Sequence, residues 1–270
     1  MKIDCVYVTT IIDNPSYHNE LKGRVMAIPV PFDTNIKIMK GFDGKQFIEN
    51  PNDYDFKPYQ GWEDKNSRWS WWQRPMLAGE IGCAISHLRC WEDAYHNGYE
   101  TIMIFEDDFT ILKNINWGIF NELVGYDWDL CMLSCNTMED KFGEVEKTRE
   151  IRMKHFIKPG FFYNAHSYML SKEGVRRLIE DHRDVYKQNL IPADEILPAL
   201  TNSHPRPDIR QMFITNMTGI ATREHYFGQS RNESTGNSTT ETKDLFLKKE
   251  TITLEEDNKS TNNQEETDEL

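Results

Sequence analysis

The stretch GEIGCAISHLRCWEDAYHNGYETIMIFEDDF, residues 79–109, carries two hydrophobic periods in succession. Ile81, Ala84, Ile85, Leu88, Trp91 and Ala94 recur at three- and four-residue spacing, which predicts an amphipathic helix over 78–98. Gly98 stands where a helix C-cap is expected. TIMIF (101–105) is short, apolar and β-forming, so it reads as a buried strand. A helix followed at once by a buried strand signals an α/β fold with a largely parallel sheet. The strand then runs into Glu106, Asp107 and Asp108.

Three carboxylates at one strand end repel one another, and their burial costs several kcal/mol unless something compensates. In extended chain Glu106 and Asp108 face one way and Asp107 the other. The C-terminal end of a strand is where open α/β sheets bind ligands. An all-oxygen donor set suits a hard divalent ion, Mn²⁺ or Mg²⁺, better than zinc. Such ions complete their shell with phosphate oxygens, so the expected partner is a divalent metal plus a diphosphate. The plainer reading is a solvated acidic turn.

Outward from this block the order of elements continues the α/β pattern. IDCVYVTTI (3–11) reads as the first strand, and RVMAIPVPF with NIKIMKGFDG as a second strand region closing at Gly41, Asp43 and Gly44. Residues 48–75, with Pro51, Pro58 and Pro75, read as a long aromatic-rich loop of the kind that serves as a lid or binding loop. WDLCMLSC (128–135) and FYNAHSYMLS (162–171) read as further strands, and KEGVRRLIEDHRD as a helix. PADEILPALT (192–201) reads as a short helix opened by Pro192, and DIRQMFITN as the last strand. From Gln229 the chain turns polar, with eleven acidic against five basic residues, and reads as a disordered tail. The expected division is therefore a domain over 1–228 and a tail over 229–270.

The 270-residue chain is 38% hydrophobic and carries a net charge of -13, which disfavours nucleic acid as a partner. No apolar run reaches the roughly 18 residues of a membrane span. The first residues lack signal-peptide architecture, and Cys5, Cys83, Cys90, Cys131 and Cys135 sit in apolar segments as reduced thiols would. Both observations lead us to expect a cytoplasmic protein. No Gly-rich phosphate loop with its Lys is present, so phosphoryl-transfer classes rank low.

The 79–109 block closely resembles the core signature of glycosyltransferase family 25, the lipooligosaccharide and collagen galactosyltransferase family. The matching positions are Gly79, Glu80, Gly82, Cys83, Ser86, His87 and Trp91, then Glu106-Asp107-Asp108. KGFDGK, SYMLSKEGVRRLIE and PADEIL match the family more weakly. Where the family follows its first strand with Asn-Leu and an Arg-rich helix start, this chain has VTTIIDNPSYHNE. The resemblance implies a GT-A-like fold with a mostly parallel central sheet, a UDP-hexose donor (UDP-galactose most often) and an inverting transfer. It implies a saccharide acceptor such as lipopolysaccharide, lipooligosaccharide or another glycan.

Under that resemblance Asp108 is the direct metal ligand, Glu106 binds the metal or the ribose, and Asp107 supports them on the donor side. His225, in REHYFGQS, is a further ligand or an exposed loop histidine. Asp194 or Glu195 is the base that takes the acceptor proton; an acidic residue at a helix start also needs no catalysis to explain it. Thr9, Asp43, Arg74, Glu80, Ser86 and His87 line the donor. Their plainer readings are a turn cap for Asp43, a surface residue for Arg74, a helix-start acid for Glu80 and a core histidine for His87. Gly82 and Cys83 read as structural. A sugar- or protein-binding module that keeps the fold without turnover stands as the alternative, beside another metal-dependent nucleotide-processing enzyme.

Overall fold

The first strand, β1 (Cys5–Thr10), is buried throughout. Asn14 then caps helix α1 (Pro15–Met26), its side chain accepting from the Ser16 and Tyr17 amides at 2.8 and 3.2 Å. Pro15 lies in the first turn, where a missing N–H costs nothing. The helix takes up Arg24–Met26, so among the described residues only Asn35–Lys40, as β2, is strand in the region read as a second strand. Next come α2 (Gly44–Glu49), α3 (Ala78–Asn97), β3 (Thr101–Glu106), β4 (Phe109–Ile111), β5 (Leu130–Met132) and β6 (Asn136–Thr137). The chain continues through β7 (Arg149–Glu150), β8 (Phe156–Lys158), β9 (Phe162–Tyr163), β10 (Ser167–Ser171), α4 (Lys172–Arg176) and α5 (Arg183–Gln188). It ends with α6 (Ala193–Leu200), α7 (Pro207–Met212), β11 (Gly219–Thr222) and β12 (Phe227–Gln229).

This computed structural model describes residues 1–30, 33–138, 147–213 and 217–230. Met1–Ser230 forms one unit. The polar tail lies outside the described residues from Arg231 onward.

The main sheet has the order β2-β1-β3-β10-β5-β11-β8-β7. β1 pairs in parallel with β2 and β3, and β11 with β5. β10 runs antiparallel to both β3 and β5, and β8 antiparallel to β11 and β7. The expectation of a mostly parallel sheet is thus corrected: the sheet is mixed, with parallel pairing concentrated in its first three strands. The reason is the direction of β10, which follows β9 after the turn at Asn164 and runs against both of its neighbours in the sheet.

Two further expectations change. FYNAHSYMLS is two strands, because Asn164 adopts the left-handed conformation (φ 82°) and turns the chain between β9 and β10. DIRQMFITN was expected as a strand; its first part lies in helix α7, with Pro207 in the first turn, and 214–216 fall outside the described residues.

Two apolar layers cover the sheet. One packs Ile81, Ala84, Ile85, Leu88 and Trp91 of α3 against Tyr7, Ile104 and Tyr168. The other packs Leu21 and Val25 of α1 and Phe120 against Val8, Phe105 and Met169. Each such Ile or Leu contributes on the order of 1.5–3 kcal/mol when fully buried. The α3 layer matters most for the site. Glu80 accepts the Leu77 amide at 2.7 Å and closes the first turn, and Gly98 (φ 63°) ends the helix as expected. Gly82 brings α3 close to the loop after β2: a Cβ there would stand 2.5 Å from the Phe42 carbonyl oxygen. Ser86 adds a hydrogen bond to the same loop, accepting from the Phe42 amide at 2.8 Å.

Candidate functional site

The register of the sheet assembles the site from residues far apart in sequence. Thr9 lies opposite Glu106 across the parallel β1/β3 pair. Ser167 pairs with Phe105 across the antiparallel β3/β10 pair, and the Glu106 amide donates to the His166 carbonyl at 3.1 Å. Thr9, Glu106 and His166 therefore form one row across the three central strands, with side chains on the α3 face.

Glu106 is held by a chain of hydrogen bonds with a fixed direction. The Trp91 indole N–H donates to the Tyr168 hydroxyl at 2.9 Å. Burial lifts the Tyr168 hydroxyl far above the usual tyrosine range, so it keeps its proton. That proton goes to His87 Nδ1, 2.7 Å away. His87 Nε2 then carries the ring hydrogen and faces Glu106 Oε1 at 3.3 Å. The Cys83 thiol, pushed well up by burial and by the Glu106 charge, donates to the same oxygen at 3.1 Å. Burial draws Glu106 toward its neutral form, but the His87 and Cys83 hydrogen bonds outweigh it and leave the carboxyl below the usual range.

The remaining carboxylates have no such support. Asp107 turns away toward the Thr10 hydroxyl at 2.5 Å, and burial with the Glu106 charge raises it. Asp108 is pushed up to about 7 by burial and by the charges of Glu106 and Asp107. Its Oδ1 is buried with no hydrogen-bond partner among the described residues. The Gln229 amide spans the two carboxylates, 3.2 Å from Glu106 and 3.5 Å from Asp108. Asp194, at the start of α6, joins the cluster: burial and the Glu106 charge push it up to about 7, while the Ala165 amide holds its Oδ1 at 2.8 Å.

Glu195, its neighbour, is only 2% exposed and already has three donors. It accepts from Trp72 Nε1 at 3.1 Å, from the Tyr163 hydroxyl at 2.9 Å and from His204 Nε2. His204 Nδ1 accepts the Arg206 amide at 3.0 Å, which places the ring hydrogen on Nε2, facing Glu195. Arg206 in turn donates to the Gly61 and Trp62 carbonyls. Glu195 thus ties the aromatic loop to α6.

The other expected residues fall into two groups. Glu80 acts electrostatically on Asp194, and Arg74 pairs with both its carboxylate oxygens at 2.8 Å, so this pair borders the cluster. Asp43 caps α2, accepting from the Lys45 amide at 3.0 Å, and Ser86 serves the α3–loop contact. His225 is exposed and acts on His166 rather than joining the carboxylates directly. Sequence reasoning missed His166, Tyr168 and Gln229 and gave Cys83 a structural part. Cys83 had a legible signal, since it lies four residues before His87 and shares its helix face. The others are brought in by the antiparallel return and by β12, which no spacing announces.

These groups fit a divalent cation. Four half-buried carboxyl groups share one neighbourhood, two of them raised to about 7, and one buried oxygen, Asp108 Oδ1, has no donor among the described residues. A cation at Asp108 and Glu106 would relieve all three features. Cys83, His87 and Glu106 also lie within 4.8 Å of one another and by distance alone could hold an ion. The hydrogen-bond directions favour another part for them, since both Cys83 and His87 present hydrogens to Glu106 and orient it.

Comparison with known proteins gives the chain's family. The family model for glycosyltransferase family 25 (LPS biosynthesis protein) matches residues 30–197, well over half the chain. The chain belongs to glycosyltransferase family 25. The bovine (Bos taurus) "Probable inactive glycosyltransferase 25 family member 3" is 26% identical over 246 residues, covering 85% of this chain and 38% of the relative. Procollagen galactosyltransferase 2 of Mus musculus is 24% identical over 206 residues, covering 74% and 31%. The chain thus spans about a third of the length of the curated relatives it matches. Among solved structures, A197 from STIV overlaps with a TM-score of 0.33 at 7% identity, covering 66% of this chain and 68% of that one, an overlap too slight to bear on the fold.

Proposed function

We propose that the chain is a metal-dependent, inverting glycosyltransferase with a GT-A-like fold. It moves a hexose, galactose from UDP-galactose, onto a saccharide acceptor. Family membership supports the reaction class, and the names of the galactosyltransferase relatives support the sugar. The observation that carries the reading is the carboxylate cluster at the end of β3, with Asp108 and Asp194 both pushed up to about 7.

Asp108 and Glu106 would hold Mn²⁺ or Mg²⁺. When bound, the ion supplies Lewis-acid stabilisation of the departing diphosphate. The protein's own groups do the rest. The Trp91–Tyr168–His87 chain and Cys83 keep Glu106 ionised and fixed in direction. Asp107, bonded to Thr10, holds the turn that aims Asp108. Asp194 is the base: it stands at the start of α6 beside the carboxylate cluster, its Oδ1 held by the Ala165 amide, where it can accept the acceptor hydroxyl's proton. Glu195, with three donors already on it, positions Asp194 and the aromatic loop. Trp69, Trp71 and Tyr163 in that neighbourhood form the acceptor side, where flat aromatic faces suit sugar rings. The acceptor is a glycan of the lipopolysaccharide or lipooligosaccharide kind. Five cysteines that form no disulfide among the described residues suit a reducing compartment such as the cytoplasm. Among the described residues no helix is long and apolar enough to cross a membrane.

The test is UDP release from UDP-galactose and UDP-glucose with Mn²⁺, with and without lipooligosaccharide or a collagen peptide. Release that needs Mn²⁺ and falls on the order of 10²–10⁴-fold in Asp194→Asn supports the reading. The similarity to a relative named as probably inactive favours one second reading, a module that binds sugar without turnover. Donor binding with no UDP release from any donor would support that module instead.

A further inference from the structure

The aromatic loop carries a small lobe with a narrow neck. The Asp64 amide donates to the Trp72 carbonyl at 2.7 Å, so residues 64–72 leave the body and rejoin it at one place. The entering chain turns at Tyr59–Trp62, where the Trp62 amide donates to the Tyr59 carbonyl at 3.0 Å. Arg206, the residue before α7, grips both sides of this neck. Its guanidinium donates to the Gly61 and Trp62 carbonyls on the entering side. On the returning side it lies over the Trp72 ring, 5.6 Å from the centroid. Asp208 holds the guanidinium in place, accepting from it at 3.2 and 2.6 Å, and also accepts the Tyr59 hydroxyl at 3.1 Å. Beyond the neck the lobe carries Trp69 and Trp71, both half-buried, with ring centroids 4.9 Å apart. Trp72 itself donates to Glu195, the neighbour of Asp194. Glu195 on α6 and Arg206 before α7 therefore hold one tryptophan from two sides.

We propose that Arg206 is a positioning residue for the acceptor: it holds the neck of the 64–72 lobe so that Trp69 and Trp71 meet a sugar ring of the glycan at a fixed distance from Asp194. This rests on the base and the acceptor side of the proposed function and adds the device that sets one against the other. A guanidinium suits the place, because its planar fork reaches two carbonyls and a carboxylate at once while its face lies on an aromatic ring. A lysine ammonium cannot make all of these contacts together. A platform fixed before the sugar arrives lowers the ordering cost of binding, so loosening it weakens the acceptor first. The bonds that hold Glu106 and Asp108 come from α3 and β12 and not from the lobe, so the donor side does not depend on the neck.

The experiment is steady-state transfer by the full chain from UDP-galactose to lipooligosaccharide or a collagen peptide in Mn²⁺, paired with amide hydrogen exchange. In Arg206→Ala the KM for the acceptor should rise about tenfold or more, while the KM for UDP-galactose stays at its wild-type value. Exchange across residues 59–73 should quicken, with α3 and β3 unchanged. Arg206→Lys keeps the charge but not the fork, so it should fall between the two, and it keeps the test readable if the alanine variant folds poorly. Lobe exchange that ignores both Arg206 variants overturns the clamp and leaves the proposed function standing. A fall in kcat alone, or an equal rise in both KM values, also overturns it, since a merely structural residue would give either. Absence of transfer by the wild-type protein to both acceptors removes the acceptor reading of the proposed function, and this inference with it.

Discussion

At the scale of single residues, the site is a problem of too much negative charge in too little water. Glu106 is stabilised by hydrogens from His87 and Cys83, whereas Asp108 and Asp194 are not, and both titrate near neutral pH. Their folded values lie above the unfolded carboxylate value of about 3.9. The native state therefore binds more protons than the unfolded state between about pH 4 and 7. Their contribution to stability is present below pH 4 and lost as the pH rises through about 7. Metal-free protein should thus lose thermal stability from pH 5 to 8 relative to Asp108→Asn, as paired melting curves would show. The same Asp108→Asn change should raise the metal-free midpoint at pH 8 by a few degrees while abolishing Mn²⁺ binding. Equal melting profiles for the two proteins would mean that Asp108 is not charge-strained. Asp194 and Glu195 should also separate. Asp194→Asn should lower turnover and leave the fold intact, because among the described residues only the Ala165 amide bonds to it. Glu195→Ala strands the Trp72, Tyr163 and His204 donors and should cost on the order of 3–5 kcal/mol in denaturant unfolding.

At the scale of elements, some of the fold was legible in the sequence and some was not, for identifiable reasons. Helix α3 and strand β3 stand where their periodicity put them, because both signals are local: apolar spacing, then a glycine, then a β-forming run. Glu106 and Asp108 share the reach of Gln229 while Asp107 turns to Thr10, as strand alternation implies. The direction of β10 was not legible, since it depends on where a long excursion re-enters the sheet. Asn164 gave no warning that it would divide one apparent strand in two. The close approach of α3 to the β2–α2 loop shows what the family glycines do. At Gly44 an added Cβ would fall 1.8 Å from the Ala78 carbonyl oxygen, and at Gly82 it would fall 2.5 Å from that of Phe42. Backbone cannot give as a side-chain tip can. Gly82→Ala should cost about 1–3 kcal/mol in chemical denaturation. It should also weaken donor-site function, because α3 carries Cys83 and His87. A neutral effect on both would show that the loop moves freely.

At the scale of the whole molecule, the sheet collects chemistry at one end. β1, β3 and β10 deliver Thr9, Glu106 and His166 as a row, α3 lays His87 and Cys83 beside it, and α6 brings Asp194 with the aromatic loop behind. Family membership and this convergence lead to one central claim: the cluster is built for a divalent ion and a nucleoside diphosphate. The direct measurement is the melting midpoint of the full chain with UDP or UDP-galactose, in Mn²⁺ and in EDTA. At a hundred times its dissociation constant, a ligand of the native state adds about 2.7 kcal/mol. For a protein of this size that is a shift of roughly 5 °C or more. The account predicts such a shift with nucleotide and Mn²⁺ together, and its loss in EDTA or in Asp108→Asn. A midpoint that ignores both nucleotide and metal, or a nucleotide shift that persists in EDTA and in Asp108→Asn, would contradict it.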